Sequence, residues 1–98
     1  MALNVIVSQR AEKNLDAIVN YLSATFSEKV KMDFLAILSE KVNAISQMPH
    51  MYRASKKKKE VRECVVNKYT MLYYRITPTA IEIITIQDTR SNLDTLSF

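Results

Sequence analysis

The chain has 98 residues, 48% apolar and 24% charged, with a net charge of +4, no glycine, one cysteine and one histidine. That length predicts one domain over residues 1–98, burying roughly 60–65% of the surface its unfolded chain exposes. Without glycine there is no Gly-rich phosphate loop, one Cys and one His do not make a metal ligand set, and no cofactor is expected. No run of about 18 apolar residues predicts a membrane span, and the N-terminus lacks the pattern of a signal peptide. A lone Cys64 cannot form an internal disulfide and points to a reducing cytosol. As a nucleophile it would need a base, and the single candidate, His50, falls beside Met48-Pro49 in a loop.

In chain order, Leu3 to Val7 alternates and predicts a first strand. Ser8 is a good N-cap for a helix whose Ala11, Leu15, Ile18, Val19 and Leu22 recur at helical spacing and which ends near Ala24-Thr25. Ser27 caps a second helix, with Glu28 suited to the positive end of its dipole. Its stripe is Val30, Phe34, Ile37, Leu38, Val42 and Ile45, with Met32, Leu35 and Ala36 widening the buried arc until Gln47-Met48-Pro49 stops it. Residues 49–59 read as a polar connector. Arg62 to Arg75 reads as two strands turning at Asn67-Lys68, with Val61, Glu63 and Val65 against Arg62, Cys64 and Val66, then Thr70, Leu72, Tyr74 and Ile76 against Tyr69, Met71, Tyr73 and Arg75. After Thr77-Pro78-Thr79 comes a last strand, Ala80 to Gln87, with Ile81 and Ile83 facing one way and Ile84 and Ile86 the other, as in a central strand. A polar tail from Asp88 follows. The predicted fold is α+β: an N-terminal strand, an antiparallel helical hairpin, then a three-stranded antiparallel meander, forming one sheet covered by the helices.

The charge is uneven. Residues 53–75 hold Arg53, Lys56, Lys57, Lys58, Lys59, Arg62, Lys68 and Arg75 against Glu60 and Glu63, a local charge of +6 that leaves −2 on the remainder. Such a patch is either a binding surface for a nucleic acid or an acidic protein, or a solvated loop.

The stretches SQRAEKNLDAIVNYL, AISQMPHMYR, VRECVVNKYTMLYYRI and IEIITIQDTRSN, in this order, resemble the RelE/ParE superfamily of toxins from type II toxin–antitoxin systems, over nearly the whole chain. The long helical hairpin and the DTRSN ending look more like the ParE-type branch. The resemblance implies a cognate antitoxin as partner, and a homodimer or a heterotetramer with that antitoxin. It also implies a target, by one of two mechanisms. ParE-like toxins inhibit DNA gyrase by binding, and here Lys56, Lys57, Lys58, Lys59, Lys68 and Arg75 are the candidate target- or nucleic-acid-binding residues. RelE-like toxins cleave messenger RNA on the ribosome without a metal. Arg90, Arg62 and Tyr73 are the candidate catalytic residues for that chemistry, with Lys68 and Arg75 as further charges and Tyr74 as the other phenol. The chain departs from the RelE pattern, with Thr70 where that pattern has an arginine, Val61 and Glu63 where it has paired lysines, and no tyrosine after Arg90. A separate reading is a non-toxic basic nucleic-acid-binding domain that stacks single-stranded bases on Tyr69 and Tyr73, which share a face. Structural roles are open for several of these residues: Arg75 as partner of Glu82 or Glu63, Arg62 as a cross-strand partner, and Asp88 as an orienting group or turn former.

Overall fold

The computed structural model describes residues 3–56, 58 and 60–89. The elements run β1 (Asn4–Val7), α1 (Gln9–Thr25), α2 (Glu28–Gln47), β2 (Arg62–Asn67), β3 (Thr70–Ile76) and β4 (Ala80–Asp88). The sheet order is β1-β4-β3-β2, with β1 parallel to β4 and the other pairings antiparallel. This is the α+β arrangement the sequence predicts.

Both helices start at their expected caps. Ser8 Oγ accepts the Ala11 N–H at 3.0 Å, and Ser27 Oγ accepts the Val30 N–H at 3.2 Å. Each cap satisfies a first-turn donor that has no intrahelical acceptor. α1 buries Ala11, Ile18 and Leu22, and α2 buries Phe34, Leu38 and Ile45. Met32 and Ala36 do not widen the arc of α2: both are exposed, because the sheet meets a single stripe of that helix. The stripes close over Leu72, Tyr74, Ile81, Ile83 and Ile86 to form the core.

β4 is central, and it carries a bulge. Tyr73 pairs with Thr85 and Tyr74 with Ile83, so Ile84 is the extra residue. The bulge resets the alternation, so Ile81, Ile83 and Ile86 all enter the core while Ile84 turns away from it. The sequence expectation that paired Ile84 with Ile86 is corrected by that one inserted residue. Beyond Ile83, β1 no longer pairs with β4, and the start of α1 satisfies its edge instead. The Ser8 N–H donates to the Ile83 carbonyl at 3.0 Å, Ser8 Oγ to the Ile84 carbonyl at 2.7 Å, and the Ile86 N–H to Asn14 Oδ1 at 3.1 Å.

Three boundaries move. The β2–β3 turn lies at Lys68–Tyr69 rather than Asn67-Lys68, because Asn67 pairs with Thr70 and its Oδ1 accepts the Tyr69 N–H at 2.8 Å. Asn67 thus closes the turn by its side chain with no positive φ. Asp88 belongs to β4, buried, and accepts the Thr70 hydroxyl at 2.7 Å; it does not begin a polar tail. The connector is not merely polar linkage: Ala54 bridges Arg62, the Ser55 N–H donates to Val61 O at 2.6 Å, and the Glu63 N–H donates to Arg53 O at 3.0 Å. Those bonds extend the β2 edge.

Candidate functional site

The connector bonds bring Lys58 to the sheet face opposite the helices. The Val61 N–H donates to Lys58 O at 3.1 Å, closing a tight turn that holds Lys58 beside the outer face. There a cleft of about 340 Å³ opens between three segments: Arg10 from α1, Lys58 from the connector and Arg75 from β3. Glu60 and Glu82 share its rim, and Val61, Ile84 and Ser8 line it as well. Arg75 donates its Nε–H to Glu82 Oε1 in an ion pair whose side chains are 54% and 30% exposed. That pair uses the Nε–H, one of the five N–H donors of the guanidinium. Arg10 was absent from the sequence candidates. One signal could have found it: a cation in the first turn of a helix opposes the dipole, so its presence there needs a reason.

The remaining candidates fall elsewhere. Arg62 is spent on structure, donating from Nη1 to the carbonyls of Tyr52 at 2.6 Å and His50 at 3.5 Å, with Nη2 lying 3.4 Å from His50 Nδ1. It pins the chain that follows α2 and is not a cross-strand ion-pair partner. Tyr74 lies fully buried and donates its hydroxyl to Pro49 O at 2.6 Å, its ring edge-on to Tyr52 at 6.4 Å. Burial pushes the Tyr74 phenol up to about 12, although the Arg62 charge pulls the other way. Tyr73 faces the opposite side but is also buried, and burial followed by the Glu63 carboxylate raises its phenol as well. Glu63 in turn accepts Arg53 Nε–H at 2.8 Å, so the counter-charge in that row is taken by Arg53 and not by Arg75.

Lys68 stands at the β2–β3 turn with its Nζ 5.1 Å from the Tyr69 ring centroid. Seven residues separate it from Arg75 along β3, roughly 20 Å at strand rise, so one small ligand cannot touch both. Lys56 is exposed on the loop that carries Lys58. Lys57, Lys59 and Arg90 lie outside the described residues. The structure therefore gathers Arg75, Lys58 and the unforeseen Arg10 and sets them apart from Arg62 and Lys68, while Tyr73 shares the outer face with Arg75 but is buried and is not among the described residues of the cleft lining. Among the described residues no group of three His, Cys, Asp or Glu could hold a metal ion, and no helix is long and apolar enough to cross a membrane.

On the helical side, an apolar groove of about 460 Å³ runs between the hairpin and the sheet, lined by Leu15, Leu35, Leu38, Val42, Leu72 and Ile86 among others.

The molecule is thus a four-stranded sheet with one parallel edge strand, backed by a helical hairpin. The family model for the ParE toxin of the type II toxin–antitoxin system parDE matches residues 5–93, and the chain belongs to that family within the RelE/ParE superfamily. Among solved structures it is similar to a chromosomal ParDE toxin–antitoxin system from P. aeruginosa, at 16% identity and TM-score 0.76 over 89% of this chain and 96% of that one. A YoeB/ParE toxin from Agrobacterium tumefaciens follows at 8% identity and TM-score 0.66, covering 88% of this chain and 98% of that one. The RelBE2 toxin–antitoxin complex from Mycobacterium tuberculosis is similar at 13% identity and TM-score 0.62, covering 90% and 99%. At these identities the likeness is one of fold. No curated protein matches the chain.

Proposed function

We propose that this toxin acts by binding DNA gyrase and blocking supercoiling, and that a cognate antitoxin neutralises it. The observation that carries the choice of mechanism is the state of the β3 phenols. RNA cleavage without a metal needs a proton acceptor poised near neutral pH, next to cations that stabilise the phosphorane. Here both tyrosines are buried with their phenols raised, Tyr74 is committed to the Pro49 carbonyl, and Arg62 is committed to Tyr52 and His50. Inhibition by binding asks for no such group. It asks for a complementary surface, and the Arg10–Lys58–Arg75 cleft with its flanking lysines is the candidate.

The apolar groove beside α1 and α2 supports the antitoxin part of the reading, since an apolar segment of a partner would bury side chains against Leu35, Leu38 and Val42. The solved ParDE and RelBE2 relatives are themselves toxin–antitoxin systems.

The test is induced expression in a bacterial host, with gyrase supercoiling and messenger integrity followed together. Growth arrest with lost supercoiling and intact messages is expected. Arrest with cut messages, abolished by Arg90→Ala, would replace this reading with ribosome-dependent cleavage.

A further inference from the structure

We infer that the outward edge of β1 is a self-pairing surface, on which a second copy of the chain docks. The two first strands join antiparallel and fuse two four-stranded sheets into one of eight. The choice of gyrase or ribosome as target does not bear on it.

The sheet has two edges, and they differ in kind. Along β2 the connector covers the edge, through the Ala54–Arg62 bridge and the Glu63 N–H donating to Arg53 O. The Arg53–Glu63 ion pair stands on it, and a bulge between Val65 and Asn67 breaks its register. Covering segments, charges and bulges are the devices that keep a sheet edge from pairing with another chain. β1 carries none of them. Leu3 to Val7 holds no charge and no proline, and Val5, Ile6 and Val7 form a β-branched run. Its pairing with β4 runs from Asn4 to Val7 without a shift.

The backbone shows which groups are open. The Ser8 N–H donates to Ile83 O, so Asn4, Ile6 and Ser8 direct their peptide groups to β4, and Val5 and Val7 direct theirs outward. Leu3, in phase with Val5, donates its N–H to Ser46 O at 3.1 Å, which closes that end. Among the described residues, none makes a backbone bond to Val5 or Val7 on the outward side. Ile6, opposite Glu82 in register, lies on the outer face and is 55% exposed, and Val7 is 39% exposed. One register satisfies these groups: Val5 of each copy opposite Val7 of the other, with Ile6 facing Ile6 across the twofold axis. Val5 and Val7 then exchange N–H···O bonds in both directions, and the isoleucines cover each other at about 4.5 Å between Cα atoms. Charge does not oppose this pairing. The two Arg75 side chains stand five strand spacings apart, about 24 Å, well beyond the screening length of about 8 Å. Both outer faces lie on one side of the joined sheet, so the dimer presents two clefts together. Four residues a side is far below the roughly 20–30 of a stable interface, so the dimer is weak and forms at high protein concentration.

The test is sedimentation velocity of the full chain from about 5 to about 500 µM, with a cysteine reporter for the register. Wild-type protein should pass from monomer to dimer across that range. Ile6→Lys sets like charges at the axis and Val7→Pro removes an outward donor; each should weaken the dimer about tenfold or more. Val65→Lys, on the opposite edge, should change it less than about twofold. Ile6→Cys should give a disulfide-linked dimer with oxidised glutathione, and Val65→Cys should not, because only the first brings two Cβ atoms within bridging reach. Cys64 is buried and stays out of that reaction. Circular dichroism confirms that each variant is folded. A monomer at every concentration overturns the pairing, and so does a dimer that Ile6→Lys leaves intact. Cross-linking through Val65→Cys but not Ile6→Cys overturns it as well. A monomer that still binds a fluorescein-labelled LNVIVS peptide would give the edge to a strand of a foreign chain and not to a second copy.

Discussion

Tyr74 and Arg75 are neighbours on β3, and they face opposite worlds. Tyr74 points into the helix-covered core, where its hydroxyl meets the Pro49 carbonyl and Arg62 beside it is consumed by the backbone of Tyr52. Arg75 points to the outer face, half exposed, with its Nε–H on Glu82 and its side chain lining the cleft. Phenols and guanidiniums occur on both sides, so residue type does not separate structural from functional groups. Burial does. Inside, a polar group must be paired or it costs stability; outside, water is the competing partner and a ligand can replace it.

The largest break of this contrast comes from Tyr74→Ala, which should cost about 3–5 kcal/mol in urea denaturation by leaving a cavity beside Tyr52. Arg62→Ala comes next, at about 1.5–3 kcal/mol, because it removes charge-assisted bonds to the Tyr52 and His50 carbonyls. Toxicity lost with stability unchanged would instead make Arg62 part of the site. Thr70→Val should cost about 1–3 kcal/mol by taking a donor from buried Asp88.

The pH dependence of Tyr74 is a subtler probe. Its folded-state phenol titrates near 12 against the ordinary 10.0, so the stabilisation is fully present below pH 10 and is lost as pH rises from 10 through 12. Unfolding midpoints measured across that window should fall more steeply for wild type than for Tyr74→Phe. The smallest stability effect belongs to the outer face. Glu82→Gln should change stability by less than about 1 kcal/mol, the exposed pair being screened by solvent.

Much of the fold was legible along the chain. Ser8 and Ser27 announce their helices because a hydroxyl before an amphipathic run has few other uses, and the isoleucines of β4 announce a central strand. The turn at Asn67 was misplaced by one residue because an Asn that bonds onward through its side chain looks, in sequence, like one that adopts positive φ itself. The site was less legible. Arg62 and Tyr73 are conspicuous by residue type, whereas Arg10 is an ordinary charge in a helix until the lysine loop folds across to meet it.

The sequence by itself determined the order of elements, the helix starts, the apolar stripes and the concentration of charge between residues 53 and 75. These depend on neighbours a few residues apart, where periodicity and capping act. The tertiary structure decided the rest: the bulge at Ile84 that sends one isoleucine to the outer face, the connector bonded along β2, and the meeting of Arg10, Lys58 and Arg75. Each of these joins residues distant in the chain, and their geometry is set by packing and backbone bonding between separate elements, which no local pattern encodes.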